Sequence, residues 1–586
     1  MSASTKIAAP STFGATLAAL STPPILALLA ALCSIGIQSF DFAINNNLYH
    51  IPIVLKFGEL PQFQHDAYIQ SLKSFVSPVY WLLSYIANEY NIVSLFFAMH
   101  LLTRFLTFLA LVLIVRECGI RKDQHLIAAT AILVVSKAIY GISLVGGDGM
   151  LMRFFSHSEL AQAVALLAFL YVIRGHLLVA TVLSALVFDI NAFIGAWALV
   201  PVAMACLSYL WRPNPVTAAR KRILNVMVLG VTYCLIAGPV LFWIASTVSG
   251  QTVDFDYRFY LRYELYGKHF FLDASETRAI LLLVGVIIAG VMAIEYMALP
   301  HRHWLCLGGL VLVFLSGAVL GTYTQSRFIL NLHLIRVDGL LLLLLSAYFV
   351  AISIRVFSWS EPIKALAAAA AIAGLMTGFW ILPILAVLSL NAERLGLLTA
   401  GDRMSRWFSA VGRHQRSLAY VAAAALLAYG SLGAYLARPR LASAQAVPTD
   451  MQLVGAWPAA TEWLEVQHWA RDNTPEDARF LVPLKPEGFR IIARRVTSGD
   501  WKEGSAALWD PTTYRQWSEN EKNVSSLRLL NDWIAYACAK GFAYVVFDKR
   551  KSREERASDL RPVFGNKYFE IYRVENCDAR RGAMNP

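Results

Sequence analysis

The sequence predicts a helical protein that crosses a membrane about 11–13 times and carries a small α/β domain outside the membrane at its C-terminal end. Three observations lead there. First, 57% of the 586 residues are hydrophobic and only 15% are charged, where soluble globular chains carry roughly 25% charge. Second, charge-poor runs recur along the chain, each long enough for a hydrocarbon core of about 30 Å. Third, the composition changes after residue 440, where polar and charged residues and tryptophans return. The net charge of +12 lies largely in short loops between apolar runs, where Lys and Arg set topology. Nucleic acid is therefore not the expected partner; the lipid bilayer is.

In order, residues 1–23 form a Ser-, Thr- and Ala-rich tail, read as cytoplasmic, and 24–40 the first span. A long outside loop, 41–91, follows. It mixes apolar and polar residues at helical spacing with Pro52, Pro61 and Pro78 as punctuation, which predicts short amphipathic helices on the membrane surface. Spans are expected at 92–115, 124–145, 159–174, 177–190, 192–211, 223–249, 277–298, 304–322, 338–356, 364–391 and 418–437, completing a transmembrane domain over 24–437. Arg116, Arg121 and Lys122 fill one loop, Arg212, Arg220, Lys221 and Arg222 another, and Arg394, Arg403, Arg406, Arg413 and Arg416 a third. The positive-inside rule places all three in the cytoplasm. That requires the run 364–391, with Gly374, Gly378 and Pro383 at its middle, to be a broken hairpin. The run 177–211 is broken similarly at Asp189-Ile190-Asn191. A second outside loop, 251–278, is rich in Tyr, Arg and Asp.

The remaining stretch, 440–586, is expected outside the membrane. ARFLVPL, FRIIARR, AYVVFDK and YFEIYRV read as strands, and segments near 459–472 and 525–540 have helical periodicity. The seven cysteines form no CxxC and no zinc pattern. Cys538 and Cys577 share this tail; an oxidising compartment would allow them to pair, and free thiols are the alternative.

Phosphate-loop, HExxH and nucleophile-elbow motifs are missing. The chemistry must come from ionisable groups at membrane borders, where burial makes idle charges expensive. Asp41 ends the first span, with Asn45, Asn46, Asn47, His50, Glu59, His65 and Asp66 after it. A carboxylate there can take a proton from an attacking hydroxyl or help hold a divalent cation; helix capping is the structural alternative. The stretch GGDGMLMRFFSHSE places Asp148 between glycines, with Arg153, His157 and Glu159 following. Asp189 and Asn191 mark a polar break at membrane depth. TQSRFILNLHLIRVDG sets Arg327, His333, Arg336 and Asp338 ahead of a very apolar run, and an arginine fork there suits a lipid phosphate. Lys137 is expected inside a span, snorkelling.

A first span, a large outside loop with acidic residues, loops bearing Asp and Arg, a late arginine before an apolar span and a C-terminal α/β domain together resemble the GT-C superfamily of polyprenyl-phosphate-sugar-dependent glycosyltransferases. Within it, NNNLYHIPIVLKFGELPQFQHDAYIQSLKSFVSPVY and WLEVQHWARDNTPEDARFLVPL are similar to segments of a poorly characterised bacterial group. The resemblance implies a GT-C-like fold in the bacterial cytoplasmic (inner) membrane, with the C-terminal domain extracytoplasmic. It implies transfer of a sugar from a polyprenyl-phosphate donor to a lipid or glycan acceptor of the cell envelope. The first outside loop would supply a catalytic acid, Asp66 or Asp41, and a later one a second, Asp148. The adjacent acidic pair usual after the first span is absent, since Phe42 follows Asp41, and this shifts weight to Asp66. Arg336, Arg327 or Arg153 would hold the phosphate, with His50, His65, His157, Asp189 and Asn191 completing the substrate site. No cofactor is required beyond an optional divalent cation. Two rival functions are a transporter or flippase for lipid-linked saccharides, favoured by paired broken helices, and a non-catalytic assembly protein.

Overall fold

The computed structural model describes residues 22–211, 218–248, 251–358, 361–392, 460–550 and 560–575, with Cys577 and a few positions between 421 and 432. The last predicted span, 418–437, and the third arginine loop fall almost wholly outside the described residues.

Among the described residues six helical segments are long and apolar enough to cross a membrane, and five shorter apolar helices accompany them. The protein is a helical multi-pass membrane protein. Helix α1 (Pro23–Gln38) opens with prolines in its first turn, where their missing N–H groups leave no bond unmade. The first outside loop folds into short helices, α2 (Asn47–Val54), α3 (Ala67–Ser71) and α4 (Pro78–Leu83). The long α5 (Ile92–Glu117) and α6 (Asp123–Val135) follow. α6 is shorter than the apolar pattern predicts. The backbone turns extended at Ser136, whose hydroxyl donates to the Leu375 carbonyl at 3.1 Å. Lys137 thus sits in a single 3-10 turn rather than inside a span. The chain beyond forms a two-residue hairpin, β1 (Gly141–Ile142) against β2 (Gly149–Met150).

Helices α7 (His157–Arg174), α8 (Leu177–Ile190), α9 (Ala192–Trp211) and α10 (Ala219–Val248) come next, then α11 (Thr277–Tyr296) and α12 (His301–Tyr323). α13 (Asp338–Val356) is the centre of the bundle: every residue from Asp338 to Ser353 is buried, against α5, α6, α11, α12 and the following helix. Lipid tails are as apolar as leucine, so helix contacts in a membrane depend on close packing. Small residues provide it. A Cβ on Gly309 would stand 2.7 Å from the Pro201 Cα, and one on Gly317 2.7 Å from the Leu334 Cβ. The run 364–391 is a hairpin, α14 (Pro362–Thr377) and α15 (Ile381–Leu390), reversed at Gly378 with φ 75°.

The C-terminal domain is α/β. Its sheet has the order β4-β3-β5-β7-β6, built from β3 (Arg479–Leu481), β4 (Val496–Thr497), β5 (Tyr544–Asp548), β6 (Phe564–Gly565) and β7 (Phe569–Arg573). β3 runs parallel to β4 and β5, and β7 antiparallel to β5. Helices α16 (Ala460–Asn473), α17 (Phe489–Ala493), α18 (Tyr514–Ser526) and α19 (Leu530–Lys540) surround it. FRIIARR is therefore not a strand. Its apolar residues form α17, which buries Ile491 and Ile492 among Leu48, Ile51 and Tyr80 of the first outside loop. Cys538 and Cys577 form a disulfide across α19 and the chain end.

Candidate functional site

One polar cavity of about 230 Å³ lies where the outside loops meet the C-terminal domain. Six segments converge on it: residues 45–49 of the first loop, the β1–β2 hairpin loop, the stretch 152–159 leading into α7, the loop before α11, the turn before α13, and a 3-10 segment, Trp501–Leu508. Its charged lining is Asp148, Glu159, Lys268, Arg336 and Lys502, with His269 and His333 beside them.

The sequence Gly146-Gly147-Asp148 explains how the acid is delivered. A Cβ on Gly146 would lie 2.6 Å from the Arg336 Cα, so only glycine lets the hairpin loop rest on that backbone. Gly147 takes φ 67°, a left-handed conformation that glycine adopts without strain. The Asp338 carboxylate fastens the loop to the start of α13, accepting from Ser143 Oγ at 2.7 Å and from the amides of Val145 and Gly146 at 2.7 and 3.0 Å. Asp148, only 1% exposed, accepts from Arg336 Nη2 at 2.7 Å and from the Gln162 side chain. Burial raises its carboxyl above the ordinary carboxylate range, and Arg336 opposes that rise. The Arg336 Nε is buried without a partner among the described residues.

The other cations are less committed. Lys502 stands over the Tyr266 ring at 5.3 Å. Burial lowers its ammonium pKa, which Glu487 partly offsets. His269 Nδ1 donates to the Gly146 carbonyl at 2.7 Å, and burial, with Arg336 nearby, keeps the ring neutral. Glu159 accepts from the Met152 amide through one oxygen and leaves the other buried, with no partner among the described residues.

The structure brings together some predicted residues and separates others. His50, His157 and Asn191 join through Tyr80, which sequence reasoning did not single out. The Tyr80 hydroxyl is 2.9 Å from His50 Nδ1 and 3.2 Å from His157 Nδ1, and Asn191 Nδ2 is 3.0 Å from His157 Nε2. Asn191 also donates to Ser158 Oγ, which lines the cavity, while its Oδ1 accepts from the first amides of α9. This cap is the reason for the break at 190–191. Asp189 is half-buried, and one of its oxygens is buried without a partner.

Asp41 lies apart from the cavity lining. It is ion-paired to Arg153 Nη2 at 3.1 Å, and burial pushes its pKa up to about 6 against the pull of that arginine. Arg153 also donates to Ser39 Oγ at 2.6 Å, so it closes the end of α1. Arg327 donates to Gln251 Oε1 and the Leu508 carbonyl, both at 3.0 Å, tying the C-terminal domain to the membrane domain. Asp66 is at the seam with that domain. One oxygen caps α3 at the Ile69 amide; the other accepts from Arg490 Nε at 2.9 Å, and Arg490 also pairs with Glu503. His65 and Asp66 line a separate cleft beside Arg490, Trp517 and Tyr68. Lys268, His269 and Lys502 were missed, and Glu159 was noted only as the start of the next span. Glu159 reads locally as a first-turn helix acid, and Lys502 belongs to a domain whose seating no local pattern announces.

Among the described residues no group of three or more His, Cys, Asp or Glu side chains is arranged to hold a metal ion.

Residues 461–522 match the profile of a domain of unknown function, DUF6798. No curated protein matches the chain. Among solved structures the chain is similar to ArnT from Cupriavidus metallidurans in the apo state, at 9% identity and a TM-score of 0.38, over 95% of this chain and 98% of that one. It is also similar to the archaeal oligosaccharyltransferase AglB from Archaeoglobus fulgidus in complex with an inhibitory peptide and a dolichol-phosphate, at 13% identity and a TM-score of 0.34, over 89% of this chain and 69% of that one.

Proposed function

We propose that the protein transfers a sugar from a polyprenyl-phosphate donor to a hydroxyl acceptor of the cell envelope, at the outer face of a bacterial cytoplasmic membrane. The observation that carries this reading is the convergence of Arg336, Lys268 and Lys502 around a buried carboxylate in one cavity between the loops and the C-terminal domain. Three cations against two acids, Asp148 and Glu159, leave net positive charge that suits a phosphate gaining charge as it leaves. Asp148 takes the proton of the acceptor hydroxyl. The acceptor oxygen bonds to the anomeric carbon, the bond from that carbon to the phosphate oxygen breaks, and the lipid phosphate departs with the electron pair. Arg336 is shared between Asp148 and the phosphate. Asp41 and Asp66, each paired to an arginine away from the cavity, hold the architecture. No step requires a cation from solution. The disulfide Cys538–Cys577 supports an extracytoplasmic C-terminal domain, because disulfides persist in oxidising compartments.

The test uses purified full-length protein, radiolabelled polyprenyl-phosphate sugars and membrane extract. Asp148→Asn abolishes transfer and still binds donor, whereas Arg336→Ala loses donor binding. Transfer that survives Asp148→Asn overturns the assignment of the base. Absence of donor binding by the unaltered protein overturns the function.

A further inference from the structure

A second cavity lies at the opposite end of the bundle. α7 starts beside the outer cavity and ends at Arg174, and α12 runs from His301 toward the outer loops. A cleft opens where the far end of α7 meets the starts of α8, α10 and α12 and the end of α9. Its walls are apolar: Leu177, Leu178, Val228, Leu229 and Leu305. Its polar rim is Arg302, His301, Asn225, Tyr209 and Ser208.

Arg302 is half-buried and has no hydrogen bond or ion pair among the described residues. Arg174, the residue before Gly175, is itself paired with Glu117 at 2.8 Å. The guanidinium packs where a Cβ of Gly175 would be, and Gly175 itself takes φ 84°. The chain thus gives up a side chain at the end of α7 to seat a cation with no counter-ion. Two helix starts, Leu177 of α8 and His301 of α12, open on the same cleft, and the positive ends of the two helix dipoles add to the potential there. Arg220 and Lys221 stand exposed at the start of α10. Leu178, 54% exposed, presents hydrocarbon where the bilayer lies.

We propose that this cleft binds one anionic phospholipid of the leaflet opposite the outer cavity, its phosphate on Arg302 and an acyl chain along Leu177, Leu178 and Leu305. The apolar walls require hydrocarbon, and the unpaired guanidinium requires an anion presented at headgroup depth. The site is independent of the chemistry proposed for the outer cavity.

The experiment offers phosphatidylglycerol or phosphatidylcholine to the detergent-purified full chain and counts retained lipid by native mass spectrometry. The unaltered protein retains one phosphatidylglycerol at roughly tenfold lower concentration than Arg302→Ala, the equivalent of one charge-assisted contact. Phosphatidylcholine binds both proteins equally weakly. Leu178→Trp, which fills the cleft from an exposed position, also loses the retained phosphatidylglycerol. Equal retention by Arg302→Ala overturns the proposal, as does retention unaffected by Leu178→Trp. Displacement of the lipid by millimolar inorganic phosphate would show a bare anion site and overturn the lipid assignment.

Discussion

Arg490 is the side chain whose loss would be felt most widely. It is buried, and its guanidinium holds Asp66 of the first outside loop, Glu503, and the Thr497 carbonyl. Removing one partner of a buried ion pair leaves uncompensated charge and costs about 3–5 kcal/mol. Arg490→Met should lower the thermal midpoint accordingly at neutral pH. Burial raises the Glu503 carboxyl pKa, against the pull of Arg490. Its protonated form is therefore favoured by the folded state, and the deficit of Arg490→Met should shrink as pH falls. A deficit that is constant with pH would assign it to packing instead. Asp41 gives a second pH test. Its folded pKa of about 6 exceeds the ordinary 3.8, so the folded state holds more protons between those values. Stability contributed by this group is full below pH 3.8 and is lost as pH rises through 6. Asp41→Asn should remove that slope from a plot of midpoint against pH.

At the scale of elements, the hairpin loop between β1 and β2 acts as a lever on Asp148. Gly146→Ala would drive a methyl into the Arg336 backbone, and backbone there cannot yield cheaply. Under the proposed function, transfer should fall to the level of Asp148→Asn, and the midpoint should fall too, because Gly146 is buried and its neighbour Val145 belongs to the bundle core. A normal rate would mean that the loop does not position the acid. Elements were legible in the sequence wherever one physical rule dominated. The hairpin at 364–391 followed from counting arginines across the membrane, and the break at 190–191 from an Asn at membrane depth. Helix α6 was not legible to its end: residues 136–145 remain largely apolar, yet the backbone turns extended at Ser136, whose hydroxyl donates to the Leu375 carbonyl. FRIIARR failed for the same reason. Its short apolar run fits a strand, and its packing as a helical turn against Leu48, Ile51 and Tyr80 decides otherwise.

For the whole molecule, the division into a helical membrane part and an α/β domain could be read from composition alone. The way the two are joined could not. Asp66 meets Arg490 across 424 residues, and Arg327 meets Leu508 across 181; no spacing rule reaches so far. Leu48 and Ile51 share one apolar cluster with Ile491 and Ile492, and Tyr257 and Tyr260 share another with Ala507 and Trp517, so the domain rests on both loops. The disulfide closes a loop of sequence separation 39, which chain entropy values at about 4 kcal/mol. Cys538→Ser should make the C-terminal domain more sensitive to protease. Reductant should sensitise the unaltered protein equally and leave the variant unchanged.

The outer cavity takes one wall from residues 45–49 and another from 501–508. A ribosome must therefore have made the chain through residue 508 before the chamber can close. Every membrane helix described here is in place by then, and the last wall arrives with the domain that follows them. A nascent or truncated chain would hold Asp148 and Arg336 without the Lys502 side, open to water. Under the proposed chemistry, such a chain should not consume lipid-linked sugar, so the timing of synthesis itself guards the donor pool.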